Sequence, residues 1–352
     1  MNFKTNIEEL DIREIVNSEY INWDFFKNST ILVTGATGLI GEQIVKSILL
    51  ANEEKNTNIK ILAHARNKKK IIDKFKSYKT NNLKYIIQDI TKPIKTRKKI
   101  DYIIHTANGT SSKEFVEKPV ETIDSIIDGT KNVLNFAKEK QTKSIVYLSS
   151  MEVFGKTNFD KVEQLKENEY GYIDLYNTRS SYPEGKRLAE TMCHSYAKEY
   201  NLPVKVARLV QTIGAGVDVN DNRVFVQFAR DIIEEKNIIL KTNGSTIRNY
   251  CYITDAISGI FAILERGNNG ECYNVANSKT TCSIKEMAEM LCEQYPKSKL
   301  EFQIDKQNKD GYLPTLKTVL DTSKLHNLNW SANITLKKMY ERLIENLKTK
   351  SY

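Results

Sequence analysis

The sequence predicts an α/β fold, with a doubly wound parallel sheet and a smaller C-terminal α/β lobe. Short apolar runs alternate along the chain with amphipathic segments, as the strands and helices of βαβ units do. The apolar run Ile31–Val33 leads directly into the glycine-rich segment Thr34–Gly41. A chain of 352 residues, of which 40% are hydrophobic, is also long enough to bury such a sheet.

The first strand and the turn after it have the pattern of a Rossmann-type dinucleotide site. Gly35 allows a tight turn, Gly38 lets the backbone approach a pyrophosphate, and Gly41 lets the helix pack closely on the strand. The N–H groups at the start of the helix then face the phosphates. We expect the following residues to bind the cofactor here: Gly35, Thr37, Gly38, Leu39, Ile40 and Gly41.

The later elements follow in the same alternation. We expect strands near residues 30–34, 59–65, 84–87, 101–105, 144–149 and 204–209, with helices between them. Residues 29–209 are thus the expected dinucleotide-binding domain. After about residue 210 the elements become shorter and rich in Gly and Asn, so residues 210–352 are expected to form a substrate lobe interleaved with it. Residues 1–28 are an N-terminal extension, expected to pack on the sheet edge or on a partner subunit.

A hydroxyl, a phenol and an ammonium group form the candidate catalytic set. Ser150 ends the hydrophobic strand predicted at 144–149, at the sheet edge where open α/β sheets place their sites. Tyr182 and Lys186 are four residues apart and so adjacent on one helix face. A cation beside a phenol is expected to lower the pKa of the phenol, which suits Tyr182 to acid/base chemistry on a carbonyl or alcohol.

With these motifs the chain resembles the extended short-chain dehydrogenase/reductases that act on nucleotide-linked sugars, from about residue 29 to the C-terminal helix. The resemblance implies that Ser150 binds the reacting oxygen, that Tyr182 is the acid/base, and that Lys186 holds the nicotinamide ribose. The segment Tyr182–Tyr196 is most similar to UDP-glucuronate decarboxylases, as are Val206–Leu209 and Arg223–Phe225.

The second predicted strand ends without the acidic residue that NAD enzymes use to hold the ribose hydroxyls. Arg66 stands where an NADP enzyme pairs a guanidinium with the 2′-phosphate, and Lys68 or Lys69 adds positive charge. We therefore predict NADP(H), with NAD as the alternative if Arg66 is only an exposed loop arginine. The resemblance adds four cofactor contacts: Asp89 and Ile90 at the adenine, and Thr106 and Ala107 after the fourth strand.

Three departures from the family pattern bear on the reaction. Met151 replaces the aspartate of 4,6-dehydratases and leaves only Glu152 as a candidate acid, Gly216 replaces a decarboxylase arginine, and Ile126 replaces an asparagine. We predict NADPH-dependent reduction of a keto group on a nucleotide-linked sugar for capsule or other surface polysaccharide. The chain also resembles capsule-cluster enzymes thought to form CDP-linked alditols. The alternatives are an NAD(P)-retaining 4-epimerase, decarboxylase or 4,6-dehydratase, and a non-catalytic NADP(H)-sensing protein.

The nucleotide sugar is expected to bind mainly through the C-terminal lobe. The resemblance places Arg248 on the diphosphate, Gln211 near the nicotinamide and substrate phosphates, and Arg223 and Gln227 beside the nucleobase. Each of these four could instead be an ordinary surface residue. The remaining substrate-binding candidates are Asn108, Thr110, Ser111 and Met151.

Composition excludes several other classes of protein. The net charge of +9 comes from lysines scattered among glutamates, which argues against nucleic-acid binding but suits a polyanionic substrate. No apolar run approaches the ~20 residues of a membrane span, and the N-terminus lacks a signal-peptide pattern. The five cysteines form no C-x-x-C pair and the four histidines have no ligand spacing, so we expect no metal. We expect a cytoplasmic homodimer.

Overall fold

The computed structural model describes residues 6–107, 109, 112–157, 163–304 and 316–350. The strands are β1 (Thr30–Thr34), β2 (Lys60–Ala65), β3 (Leu83–Ile87), β4 (Tyr102–His105), β5 (Ser144–Ser150), β6 (Val204–Leu209), β7 (Gln211–Ile213), β8 (Ile238–Leu240), β9 (Ile247–Tyr252), β10 (Cys272–Val275), β11 (Asn277–Ser283), β12 (Leu300–Phe302) and β13 (Lys317–Thr318). The α-helices are α1 (Ile7–Val16), α2 (Leu39–Lys55), α3 (Lys68–Phe75), α4 (Ser112–Glu117), α5 (Pro119–Lys140), α6 (Ser181–Tyr200), α7 (Val224–Ile233), α8 (Ile253–Arg266), α9 (Ile284–Gln294), α10 (Ser323–His326) and α11 (Leu336–Lys350).

The central sheet is parallel and, within the described ranges, has seven strands in the order β10-β6-β5-β4-β1-β2-β3. The chain runs outward from β1 in one direction through β2 and β3, and in the other through β4, β5 and β6. The carboxyl ends of β1 and β4 therefore flank the switch point at which doubly wound sheets bind ligands. The predicted α/β fold is confirmed, and each of the six expected strands lies within one residue of its expected limits.

The seventh strand of this sheet was not expected. β10 comes from the C-terminal part of the chain and pairs in parallel with β6, so that Cys272 lies opposite Val206. Its four residues are too few to show a strand period in the sequence. Among the described residues, the other strands of the C-terminal part form two small sheets. In one of them β9 pairs with β7, β11 and β13, and in the other β8 pairs with β12.

Helices cover both faces of the central sheet. On one face α5 and α6 pack against each other and against the strands, over a core that includes Leu134, Tyr147 and Ala189. On the other face α2 and α8 lie over the larger core, and α8 is buried along nearly its whole length. No helix in the described part of the chain is long and apolar enough to cross a membrane.

The N-terminal extension packs on helices. α1 contacts α2, α8 and α11, and the Trp23 ring centroid lies 5.2 Å from that of Phe261 in α8. Phe26 is fully buried between Phe261 and Tyr102. α1 therefore lies on the helical layer that covers the sheet rather than on a sheet edge, and packing on a partner subunit stays a prediction.

Candidate active site

The turn between β1 and α2 presents backbone N–H groups at the carboxyl edge of the sheet. Gly35 has a φ of +64°, which glycine adopts without strain, and a Cβ there would lie 2.6 Å from Thr106 Oγ1. A Cβ on Gly41 would lie 2.4 Å from the carbonyl oxygen of Gly35, so helix and turn pack closely. Gly38 caps α2 without a side-chain hydrogen bond, so among the described residues the first N–H groups of the helix have no side-chain acceptor.

This turn fits a dinucleotide. Thr37, Leu39 and Ile40 are half-buried beside the free N–H groups, which are suited to bind a pyrophosphate. The loop after β4 forms the opposite wall. Thr34 Oγ1 accepts hydrogen bonds from the backbone N–H groups of Thr106 (3.1 Å) and Ala107 (3.2 Å), and it lies 2.7 Å from His105 Nδ1. These bonds fix the loop against the glycine turn.

Basic side chains gather where β2 ends. Arg66 and Lys69 are both exposed, and Asn67 begins α3 by accepting a hydrogen bond from the Lys70 backbone at 2.9 Å. Lys69 and Lys70 line an open cleft together with Asn67, Asp73 and Lys74. The structure thus has the positive charge that a 2′-phosphate would require at this position.

Asp89 and Ile90 follow β3 at the same edge of the sheet at which Arg66 follows β2. The backbone N–H of Thr91 holds the pKa of Asp89 below its usual range, and Arg66 and His64 add to this lowering. Asp89 is exposed, whereas Ile90 is buried, and its carbonyl oxygen accepts a hydrogen bond from Asn132 Nδ2 at 3.0 Å. The positive charge of Arg66 therefore interacts with the Asp89 carboxylate at the carboxyl edge of the sheet, beside the candidate cofactor site.

The structure brings the three candidate catalytic side chains together. Ser150 ends β5 and Tyr182 lies in the first turn of α6, where the Ser150 hydroxyl acts to lower the pKa of Tyr182. Lys186 is buried one turn further along, and its Nζ donates to the Leu148 carbonyl at 2.7 Å. Nζ also lies 5.8 Å from the centroid of the Tyr182 ring.

The pKa of Tyr182 differs from the expectation. Burial raises it, and the Glu152 carboxylate raises it further, against smaller opposite effects of Ser150 and Arg179. The expected lowering by Lys186 was therefore wrong, because burial dominates and the ammonium group is bound to a backbone carbonyl. Burial also lowers the pKa of Lys186 to about 7. Tyr182 is thus a neutral phenol at physiological pH, the form that donates a proton.

The sequence reasoning missed two neighbours of Tyr182. The Phe115 ring is stacked on the Tyr182 ring, with centroids 4.1 Å apart and an interplanar angle of 10°. Arg179, in the short 3-10 helix before α6, binds both carboxylate oxygens of Glu152, at 2.8 and 3.0 Å. Arg179 lies only three residues before Tyr182, which is the one signal that could have identified it. Glu152 is accordingly a paired carboxylate, held beside Ser150, which accepts its backbone N–H at 3.2 Å.

The expected substrate residues of the C-terminal lobe lie on β7, β9 and α7. Gln211 of β7 is paired with Tyr250 of β9, so Gln211 and Arg248 lie on the same face of the small sheet. The buried Nε of Arg248 has no hydrogen-bond partner among the described residues. Arg223, in contrast, is bound to Asp221, with Nη2 to Oδ2 at 2.6 Å, and the exposed Gln227 donates to the carbonyl of Asn222.

Of the other substrate candidates, Met151 is buried in the core, whereas Asn108, Thr110 and Ser111 lie outside the described residues. Ile126, which stands in place of the family asparagine, is buried and faces Gly185 of α6, where a Cβ would lie 3.1 Å from its Cδ1. Within the described ranges, no three His, Cys, Asp or Glu side chains are grouped so that they could hold a metal ion.

Comparison with known proteins agrees with this geometry. The model of the NAD dependent epimerase/dehydratase family matches residues 31–276. The chain belongs to this family. It is therefore an enzyme of the extended short-chain dehydrogenase/reductase type.

The most similar relatives include UDP-glucuronic acid decarboxylases. UDP-glucuronic acid decarboxylase 6 of Arabidopsis thaliana is 29% identical over 273 residues, which cover 77% of this chain and 76% of the relative. UDP-glucose 4-epimerase of Thermotoga maritima has a TM-score of 0.76 at 19% identity, covering 92% of this chain and all of that structure. UDP-glucuronic acid 4-epimerase of Bacillus cereus, solved with NAD, has a TM-score of 0.74 at 24% identity, with 92% of this chain and 100% of that chain covered. These structural likenesses show the shared fold.

Proposed function

We propose that this enzyme oxidises the sugar of a nucleoside diphosphate sugar and reduces it again in the same turnover, as 4-epimerases, decarboxylases and 4,6-dehydratases do. The observation that carries the proposal is the Glu152 carboxylate, which Arg179 holds beside Ser150 and within electrostatic reach of Tyr182. Reduction of a ketone needs one proton donor, which Tyr182 supplies. A second acid/base group serves a step that follows oxidation, such as protonation of the enolate left by loss of carbon dioxide, or loss of water.

Each catalytic side chain has a distinct task in this proposal. A bound nicotinamide supplies the hydride acceptor and donor. Ser150 donates a hydrogen bond to the reacting sugar oxygen, and Tyr182 exchanges a proton with that oxygen. Lys186 holds the ribose hydroxyls of the cofactor. Phe115 covers the Tyr182 ring and keeps water away from it.

The nucleotide is held in the C-terminal lobe. Arg248 is the proposed ligand of the diphosphate, because its buried Nε has no partner among the described side chains and a guanidinium binds phosphate oxygens in pairs. Gln211 lies on the same face of the small sheet as Arg248. Arg223 contributes less to nucleotide binding, since the Asp221 carboxylate already neutralises its charge. The decarboxylase relatives favour uridine as the base.

A second candidate is NADPH-dependent reduction of a ketosugar linked to CDP or UDP, for a surface polysaccharide. It is favoured by Arg66 and Lys69, which put positive charge at the end of β2 where an NAD enzyme has a carboxylate. The same two side chains make NADP(H) the proposed cofactor, with NAD as the alternative that the family description favours.

We also propose a homodimer. Val120 and Ile123 of α5 are 64% and 42% exposed, and Leu188 of α6 is 50% exposed, although α5 and α6 pack against each other. Apolar side chains on two adjacent helices are suited to pack on a second copy. Light scattering after size-exclusion chromatography tests this, and a monomeric mass at micromolar concentration would contradict it.

Incubation with a panel of sugar nucleotides tests the reaction. The panel is UDP-glucuronic acid, UDP-glucose, dTDP-glucose and their 4-keto and CDP-linked counterparts, each supplied with NAD, NADP, NADH or NADPH. Liquid chromatography with mass spectrometry then separates loss of carbon dioxide, loss of water, an unchanged mass with a new retention time for a new stereoisomer, and gain of two hydrogens. The first three outcomes support the main proposal, and the last supports the reductase.

A further inference from the structure

We infer that the N-terminal helix α1 positions the loop of residues 214–217 against the cofactor helix α2, with Asp11 as the positioning residue. The inference rests on the proposed dinucleotide site at the start of α2. The helix α1 lies outside residues 31–276, the part of the chain that matches the family model.

Asp11 is the centre of a buried polar cluster. Its side chain is fully buried although it lies on a surface helix. The Tyr252 hydroxyl donates to Asp11 Oδ2 at 2.7 Å, and Arg342 Nη1 of α11 donates to Oδ1 at 3.0 Å. Arg342 Nη2 also binds Glu14 of α1 at 2.6 Å. Truncating a carboxylate so enclosed would leave buried donors unpaired, so the cluster fixes where α1 lies.

The loop that follows β7 is held from two sides by this arrangement. Ile213, the residue before the loop, is paired with Tyr252, whose hydroxyl donates to Asp11, and the N–H of Gly216 donates to Asn346 Oδ1 of α11 at 3.3 Å. The two terminal helices thus hold the loop, α1 through Tyr252 and α11 through the amide of Gly216. A Cβ on Gly214 would lie 2.3 Å from Ile253 Cγ2, so the loop also packs tightly on the start of α8.

The loop in turn borders the start of α2. A Cβ on Gly216 would lie 3.2 Å from Leu39 Cδ1 and 3.3 Å from Gln43 Nε2, so these two side chains of α2 face the loop. Leu39 is the first residue of α2, next to the free N–H groups. Movement of the loop therefore changes the packing of the turn that is proposed to bind the pyrophosphate.

Ion pairs hold α1 in place on α2 and α11. Glu8 binds Lys46 of α2 at 3.4 Å and Lys350 of α11 at 2.9 Å. Arg13 pairs with Glu54 of α2 on the exposed side of α1. The Arg13 side chain is half exposed and pairs with Glu9 and Glu54, and an exposed ion pair contributes little to stability, so its removal is a matched control for changes at Asp11.

The test uses the full-length variants Asp11→Ala, Asp11→Asn, Asn346→Ala and, as the control, Arg13→Ala. Hydrogen exchange of the cofactor-free protein reports on residues 214–217, and fluorescence titration with NADH and NADPH reports cofactor affinity. Both are measured where circular dichroism shows each variant fully folded, and neither requires turnover. A failure of the proposed sugar chemistry therefore leaves the result interpretable.

We expect faster exchange in the loop and about threefold to tenfold weaker cofactor binding in Asp11→Ala and Asn346→Ala, as the loss of one buried hydrogen bond implies. Asp11→Asn retains an acceptor oxygen and restores part of the affinity, whereas Arg13→Ala leaves both readouts unchanged. If Asp11→Ala does not fold, the loop exchange rates and cofactor affinities of Asn346→Ala and Asp11→Asn test the inference instead. Unchanged affinity in the folded variants, or an equal loss in Arg13→Ala, would overturn the inference.

Discussion

The packing and the pKa of Tyr182 are determined by its immediate neighbours. Tyr182 stacks on Phe115, and the Glu152 carboxylate raises its pKa while the Ser150 hydroxyl acts to lower it. The Tyr-x-x-x-Lys spacing predicted that Tyr182 and Lys186 are adjacent, and they are. It could not predict the direction of the pKa shift, because burial depends on α4, which the spacing does not include.

Replacing Tyr182 with Phe should lower kcat by at least about 100-fold, because the ring and its stacking on Phe115 are kept while the transferable proton is lost. Steady-state kinetics on the best substrate of the panel measures this. Tyr196→Phe is the control, since it removes a hydroxyl from the same helix, where it binds Asn135 at 2.8 Å. Near-normal turnover of Tyr182→Phe would mean that another group moves the proton.

Arg66→Ala should weaken NADPH binding by about tenfold or more and leave NADH binding nearly unchanged, because only NADPH loses a charge-assisted hydrogen bond, worth roughly 1.5–3 kcal/mol. Fluorescence titration measures both affinities. Alanine at the exposed Arg97, between β3 and β4, controls for the loss of net charge. Equal effects on both cofactors would show that Arg66 does not contact the 2′-phosphate.

Lys186 predicts a pH dependence. Burial lowers its pKa to about 7, below the value in the unfolded chain, so the ammonium form is lost as pH rises through about 7. NADH affinity should therefore fall above that pH, since NADH itself carries no 2′-phosphate to titrate. In Lys186→Met the affinity should be weaker and its pH profile flat. A flat profile in the unaltered enzyme would contradict this role of the ammonium group.

At the scale of elements, two short 3-10 helices position part of the candidate active site. One (Met151–Phe154) begins at Ser150 and carries Glu152, and the other (Thr178–Ser180) carries Arg179. The strand limits were predictable because each buried strand is an apolar run bounded by polar residues. The Glu152–Arg179 pair was not, because it joins two irregular segments, and no period in the sequence relates them.

Glu152→Gln and Arg179→Gln should each lower kcat/KM by about tenfold or more, and the double variant should be little worse than either single one, because both changes break the same pair. A double-mutant cycle on kcat/KM measures the coupling. Arg187→Gln offers a comparison, since Arg187 lies on α6 and binds Glu184 and backbone carbonyls instead. Additive losses in the double variant would show that Arg179 does not act through Glu152.

For the whole molecule, the glycine turn and the positions of the strands follow from local patterns, whereas the contacts made by the chain ends do not. Asp11 and Arg342 are 331 positions apart and form a buried ion pair. An aspartate in a surface helix is normally solvated, so its sequence context gives no sign of burial. The strand β10 was missed for a related reason, since it joins the sheet only after a long excursion through the C-terminal lobe.

The most direct test of the central claim follows the hydride. The preferred sugar nucleotide, deuterated at the carbon that is oxidised, is converted in the presence of excess unlabelled NADH or NADPH. We expect the deuterium to remain in the product, with no change in reduced-nicotinamide absorbance over many turnovers, because the sugar is oxidised and reduced within one binding event. Consumption of NADPH in proportion to product, with unlabelled hydride entering the sugar, would contradict this and establish the enzyme as a net reductase.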